Sequence, residues 1–127
     1  MLRHALTIWL VTLALAGSPA RALDANPAPF DGDLARLAEI LGALHYLRDI
    51  CGARDGQKWR IEMQALIDTE APAGSERRRS LSTSFNRGYR GFQQTYRTCT
   101  PAADVVIRRY LEEGAKISRE ITARYSN

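Results

Sequence analysis

SERRRSLSTSFNRGYRGFQQTYRTCTP, residues 75–101, is the stretch that decides the fold. Leu81, Phe85, Gly88, Phe92, Tyr96 and Cys99 recur in steps of three and four, the period of one helix face and not the alternation of a strand. Ser75 is a residue type that caps helix starts by accepting a backbone N–H. At the far end, Thr100-Pro101 is a second start signal: a hydroxyl cap, then proline where a helix tolerates it best. The spacing therefore predicts one long third helix ending at Cys99, and a fourth opening at Pro101.

The same pattern extends in both directions. Downstream, Ile107, Leu111, Gly114, Ile121 and Tyr125 fall on one side of a helix over 101–125, with Val106, Tyr110 and Ile117 beside them. Upstream, Leu34, Leu37, Leu41, Leu44 and Cys51 share a face, flanked by Ile40 and Leu47. Asp33 is the expected cap of this first helix, and Gly52 its close. Asp55-Gly56 marks a turn. A shorter second helix over 57–69 follows, with Trp59, Met63, Leu66 and Ile67 inward, and Pro72 and Gly74 end it. No segment alternates over a strand length. The expected fold is all-α: a small up-down four-helix bundle over 33–127, preceded by a flexible lead-in at 23–32.

Residues 1–22 read differently. A basic start at Arg3 and His4 leads into an apolar run from Ala5 to Ala16, then Gly17, Ser18, Pro19 and Ala20-Arg21-Ala22. This is the three-part pattern of a cleaved secretory signal. Its apolar core of about 12 residues falls short of the roughly 20 that span a bilayer. The expected location is the periplasm, with no transmembrane segment in the mature chain. Export also frames the two cysteines. Cys51 and Cys99 form no C-x-x-C pair, and in an oxidising compartment they are most simply read as one disulfide; reactive thiols are the alternative. In an up-down bundle the first and third helices run the same way, so both sulfurs arrive at one end.

The formal charge is +4, but Arg3 and Arg21 belong to the leader, leaving 16 basic against 14 acidic residues in the mature chain. That near balance argues against a dedicated nucleic-acid partner. The charges are unevenly placed. No acidic residue lies between Arg77 and Ala103, a span holding Arg77, Arg78, Arg79, Arg87, Arg90 and Arg97. On a helix, Arg79, Thr83, Arg87, Arg90, Gln94 and Arg97 make a ridge opposite the apolar stripe. Arginine is the side chain suited to bidentate contact with carboxylates or phosphates. The ridge, with Tyr89 beside it, is the candidate surface for an acidic protein or an anionic envelope component. The competing reading is a solvated face, partly neutralised by acidic residues of the first helix.

Glycines 42, 88, 91 and 114 interrupt predicted helices at a cost of about 1 kcal/mol each relative to alanine. Close helix approach is the structural explanation, and an open groove for a ligand the functional one. Chemistry finds little footing. His45 is the one histidine of the mature chain and Met63 its one methionine. Together they leave a small-ligand or b-type haem carrier as an alternative, but a zinc site has too few ligands. Glu112 and Glu113 are adjacent and point to different sides of a helix. The phosphate-loop, nucleophile-elbow and H-E-x-x-H motifs are absent. The expected protein is not an enzyme and carries no cofactor or metal.

The segments Leu44-His45-Tyr46-Leu47-Arg48, Cys51-Gly52, Trp59-Arg60, Phe85-Asn86-Arg87-Gly88-Tyr89-Arg90-Gly91-Phe92 and Tyr96-Arg97-Thr98-Cys99-Thr100 together resemble a family of small exported alphaproteobacterial proteins. That family is classed as a domain of unknown function, and the resemblance covers roughly 35–125. It implies export and a single domain, and supplies no chemistry. The expected role is an accessory or interaction protein of the cell envelope.

Overall fold

The computed structural model describes residues 30–125, and the expected signal sequence and most of the lead-in lie outside them. Four helices make up the described chain: α1 (Asp31–Ile50), α2 (Lys58–Glu70), α3 (Glu76–Thr95) and α4 (Pro101–Tyr125). No strand occurs among the described residues. The local signals account for most boundaries. The Ser75 hydroxyl accepts from the Arg78 N–H at 3.2 Å, and the Thr100 hydroxyl from the Ala103 N–H at 3.1 Å. Gly52, Gly56 and Gly74 take positive φ in the links, where a side chain would be strained.

α2 is shifted by one residue from the expected 57–69, and two other boundaries differ by more. α1 starts at Asp31, with Phe30 in the cap position and no side-chain cap, so Asp33 is inside the helix and the lead-in does not reach 32. Asp31 and Asp33 instead place acidic charge in the first turn, where the helix dipole favours it. α3 ends at Thr95, one turn before Cys99: Tyr96 is extended at φ −121°, and the last stretch of the expected helix is a link. The tie that ends it is long-range. The Tyr46 hydroxyl donates to the Tyr96 carbonyl, which a continuing helix would have used itself.

The helices alternate in direction as expected. Asp31 pairs with Arg77 at the starts of α1 and α3, whereas Asp33 faces Arg124 at the end of α4. Their arrangement is centred on one helix. α1 touches all three others, whereas α2 has no close backbone contact with α4, nor α3 with α4. Its burial shows the same thing. Ile40, Leu41, Gly42, Ala43 and Leu44 are buried in succession, and Leu34, Ile40, Leu44 and Leu47 are the largest fully enclosed side chains. A helix segment buried on successive residues is one with neighbours on more than one side. Ile40 and Leu47, expected at the flanks, are 0% exposed.

α1 and α3 pack backbone to backbone. A Cβ on Gly42 would fall 1.9 Å from the Phe85 carbonyl oxygen, and one on Gly88 would fall 1.9 Å from that of Glu39. Each glycine is the clearance for the other helix, the use of small residues that lets two helix axes approach closely. Beyond this seam, Cys51 and Cys99 form a disulfide across a Cα separation of 4.8 Å. On the other side of α1, α4 buries Ala103, Ile107, Gly114 and Ile117, with Val106, Tyr110 and Ile121 half-buried. Leu111, expected inward, is 37% exposed, because the buried stripe is centred on 103, 107, 114 and 117. Arg36 secures α4 by donating to both carboxylate oxygens of Glu113, at 2.7 and 2.9 Å, while lying 4.9 Å over the Tyr110 ring. That hydrogen bonding holds the Glu113 carboxyl below its ordinary pKa.

Candidate functional site

α3 carries the arginines, and the fold divides them into two groups. At the start of the helix each is met by a carboxylate. Arg77 pairs with Asp31 at 2.6 Å and lies 5.2 Å from the Phe30 ring centre. Arg78 reaches Asp68 of α2 at 3.2 Å, and Arg79 takes Glu76 at 2.5 Å one turn back. Arg87, Arg90 and Arg97 are exposed, and none has a carboxylate within ion-pair distance among the described residues. The expected ridge is therefore neutralised along its first turn and open further on. It also bends, since Arg97 lies past the end of α3, in the link with Tyr96. Neutralisation by the first helix reaches Arg77 through Asp31, and the exposure of Arg87, Arg90 and Arg97 is common to the docking and the solvated readings.

Tyr89 is half-buried and faces α1 more than solvent. Its ring centre lies 5.4 Å from that of Tyr46 in an edge arrangement and 5.6 Å from His45. It forms one wall of a recess of about 230 Å³ lined by His45, Arg60, Phe85, Asn86, Tyr89 and Arg90. Three helices contribute: α1 supplies His45, α2 supplies Arg60, and α3 the rest. Arg60 is exposed and, like Arg90, has no carboxylate partner among the described residues. The His45 imidazole leans on the aromatic wall, 6.0 Å from Phe85 between ring centres, and its Nδ1 is buried without a hydrogen-bond partner. Burial, then the positive charge of Arg60, hold its pKa below the ordinary histidine value, against a weaker opposite pull from Asp49. This favours the uncharged ring, which offers one donor and one acceptor.

The Trp59 end of the molecule is built as a clamp. The Asp55 carboxylate accepts from the Arg48 guanidinium, at Nε and at Nη2 (3.0 Å), and from the Trp59 indole at 2.8 Å. Arg48, then Trp59, bring the Asp55 carboxyl down to about 2. Trp59 is buried as expected, and Lys58 sits 4.8 Å from its ring centre.

The other sequence candidates fall as follows. Cys51 and Cys99 are joined, with Asp104 beside them. Met63 is buried in the core on α2. Gly88 serves helix approach, while Gly91 has nothing within 4 Å of where its Cβ would lie. Arg60 and Asn86 were not singled out from the sequence; both stand in segments that carry the family resemblance, the one available signal. A second recess, between α1, α2 and α4, is lined by Leu37, Leu41, Ala65 and Leu66 together with Glu62, Thr69 and Ser118.

No curated protein and no solved structure matches this chain. A family model described as "Protein of unknown function (DUF2385)" matches residues 29–125, which takes in all four helices, both cysteines and every residue of the recess. The chain belongs to that family.

Proposed function

We propose that this protein is a non-enzymatic accessory module of the cell envelope, exported to the periplasm, which binds an acidic protein partner through the open arginines of α3. The observation that carries the reading is the contrast along that helix. Arg77, Arg78 and Arg79 each have a carboxylate, and Arg87, Arg90 and Arg97 have none among the described residues. A surface on which guanidinium groups stay unmatched is one where acidic groups from another molecule can form charge-assisted, bidentate contacts. Such contacts speed encounter and are weakened by salt. The disulfide and the α1–α3 seam support the reading by holding the arginines on a rigid frame, so that little order is lost on binding.

The test is charge reversal at Arg87, Arg90 and Arg97 together. All three are exposed, so the circular dichroism spectrum and melting temperature are expected to stay close to those of the parent. Retention on immobilised polyglutamate, and of any partner drawn from periplasmic extract, is expected to disappear. Equal retention by the reversed protein would reduce the ridge to a solvated face.

A further inference from the structure

We propose that the recess between α1, α2 and α3 is a receptor for one carboxylate group, an aspartate or glutamate side chain of the acidic partner, held between Arg60 and Arg90. The inference rests on the proposed binding face, because Arg90 belongs to both, and it adds the anchor point on that face.

Four observations converge on the recess. First, its lining holds two guanidinium groups and no acid. They come from different helices, Arg60 from α2 and Arg90 from α3, so no local helix pattern explains their meeting. Both are exposed and neither has a carboxylate partner among the described residues, so the recess carries unmatched positive charge that an anion can complement. Second, His45 Nδ1 is buried and unpartnered. A neutral imidazole that keeps Nδ1 as its acceptor carries its proton on Nε2, a donor to a carboxylate. Third, the walls are the Phe85 and Tyr89 rings, on which short methylene groups can pack, while the Asn86 amide adds a further donor. Fourth, the volume is about 230 Å³, below the roughly 300–1,000 Å³ of pockets that enclose whole small molecules. It suits one anchoring side chain better than a free metabolite. Planar guanidinium forks suit carboxylate and phosphate alike, and the acidic protein partner proposed above makes the group a carboxylate.

The charges that act on His45 are Asp49 on its own helix and Arg60 on α2, while Arg90 and Tyr89 of α3 line the same recess. An anion lodged beside Arg60 offsets its field, so the imidazole titrates at higher pH when the recess is filled.

The experiment is nuclear magnetic resonance titration of the purified protein with glutarate, following the His45 ring and the Arg60 and Arg90 guanidinium signals. Saturable shifts at all three residues are expected, with the His45 titration moving to higher pH. Arg60→Gln is expected to weaken glutarate binding at least about tenfold, the loss of one charge-assisted contact. Arg97→Glu is expected to leave glutarate binding unchanged while lowering retention on polyglutamate. Silence of His45 towards glutarate, or unchanged affinity in Arg60→Gln, overturns the recess. If polyglutamate retention then survives Arg60→Gln and is lost on reversal of Arg87 and Arg97, the wider binding face stands without this anchor. Inorganic phosphate in a parallel titration is expected to bind more weakly than glutarate. A stronger response to phosphate overturns the carboxylate assignment.

Discussion

Gly88 and Gly91 sit one turn apart on α3 and do opposite things. A methyl group on Gly88 would drive into the Glu39 carbonyl of α1, whereas one on Gly91 would meet nothing. The first glycine belongs to the face fused to α1, with Leu81 and Phe85; the second belongs to the face that carries Arg87 and Arg90. One helix thus has an inner side set by contact distance and an outer side set by charge. Identical residues, read only as helix-weakening, cannot tell the two apart. The surroundings decide whether a glycine is a clearance or an open place.

The inner side is where substitution has its largest effects. Replacing Cys51 and Cys99 by serine opens a loop of sequence separation 48, for which chain entropy gives about 4 kcal/mol. The midpoint of urea unfolding should fall accordingly, and a midpoint unchanged from the oxidised protein would mean that the seam alone holds α1 to α3. Gly88→Ala follows closely. The two helix backbones must separate before the methyl fits, and overpacking of this kind costs about 3 kcal/mol. Gly42→Ala is expected to match it, because its methyl would meet the Phe85 carbonyl at the same 1.9 Å. The double variant should cost less than the sum of the two, since one separation relieves both clashes. Strict additivity in unfolding experiments would refute a shared seam.

A smaller effect lies at the Trp59 end, away from both faces of α3. Asp55→Asn removes the charge that accepts from Arg48 and Trp59, for about 1–2 kcal/mol. The pH dependence has a definite sign. The folded carboxyl titrates at about 2, below the ordinary aspartate value near 3.9, so its contribution is complete above about pH 4 and is lost as pH falls towards 2. Unfolding free energies of the parent and Asp55→Asn should converge across that window. A gap that stays constant from pH 6 to pH 2 would contradict the assignment.

How much of this was legible beforehand depends on the range of the interaction. Ser75 and Thr100-Pro101 announce helix starts because a cap is an affair of three or four neighbouring residues, and both do cap. The four helices, their alternating directions and the cysteine pairing follow from periodicity and the turns between. The end of α3 was not legible, because Tyr46 takes the Tyr96 carbonyl from 50 residues away. Nor was the centrality of α1. A single-face template put Ile40 and Leu47 at the flanks, whereas a helix surrounded on three sides has no flank. The candidate surface shows the same limit. The acid-free span marks the arginines, but the carboxylates that quench Arg77 and Arg78 come from α1 and from α2. Arg60 enters the recess from another helix, and a ridge drawn on α3 alone could not contain it.

Gly91→Ala is the smallest change and the one that sharpens the contrast most. In an exposed helix interior, alanine is favoured over glycine by about 1 kcal/mol, and here no neighbour opposes the methyl. The variant should unfold at higher urea concentration than the parent, opposite in sign to Gly88→Ala one turn away. Its effect on binding divides the remaining explanations. If Gly91 is only a tolerated weakness on the outer face, Gly91→Ala binds polyglutamate as the parent does. If a partner's backbone comes close to α3 between Arg87 and Arg90, the added methyl lies in its path, and binding weakens in a protein that has become more stable. That combination cannot arise from damage to the fold, so it would identify Gly91 as a clearance too, one kept for a second chain.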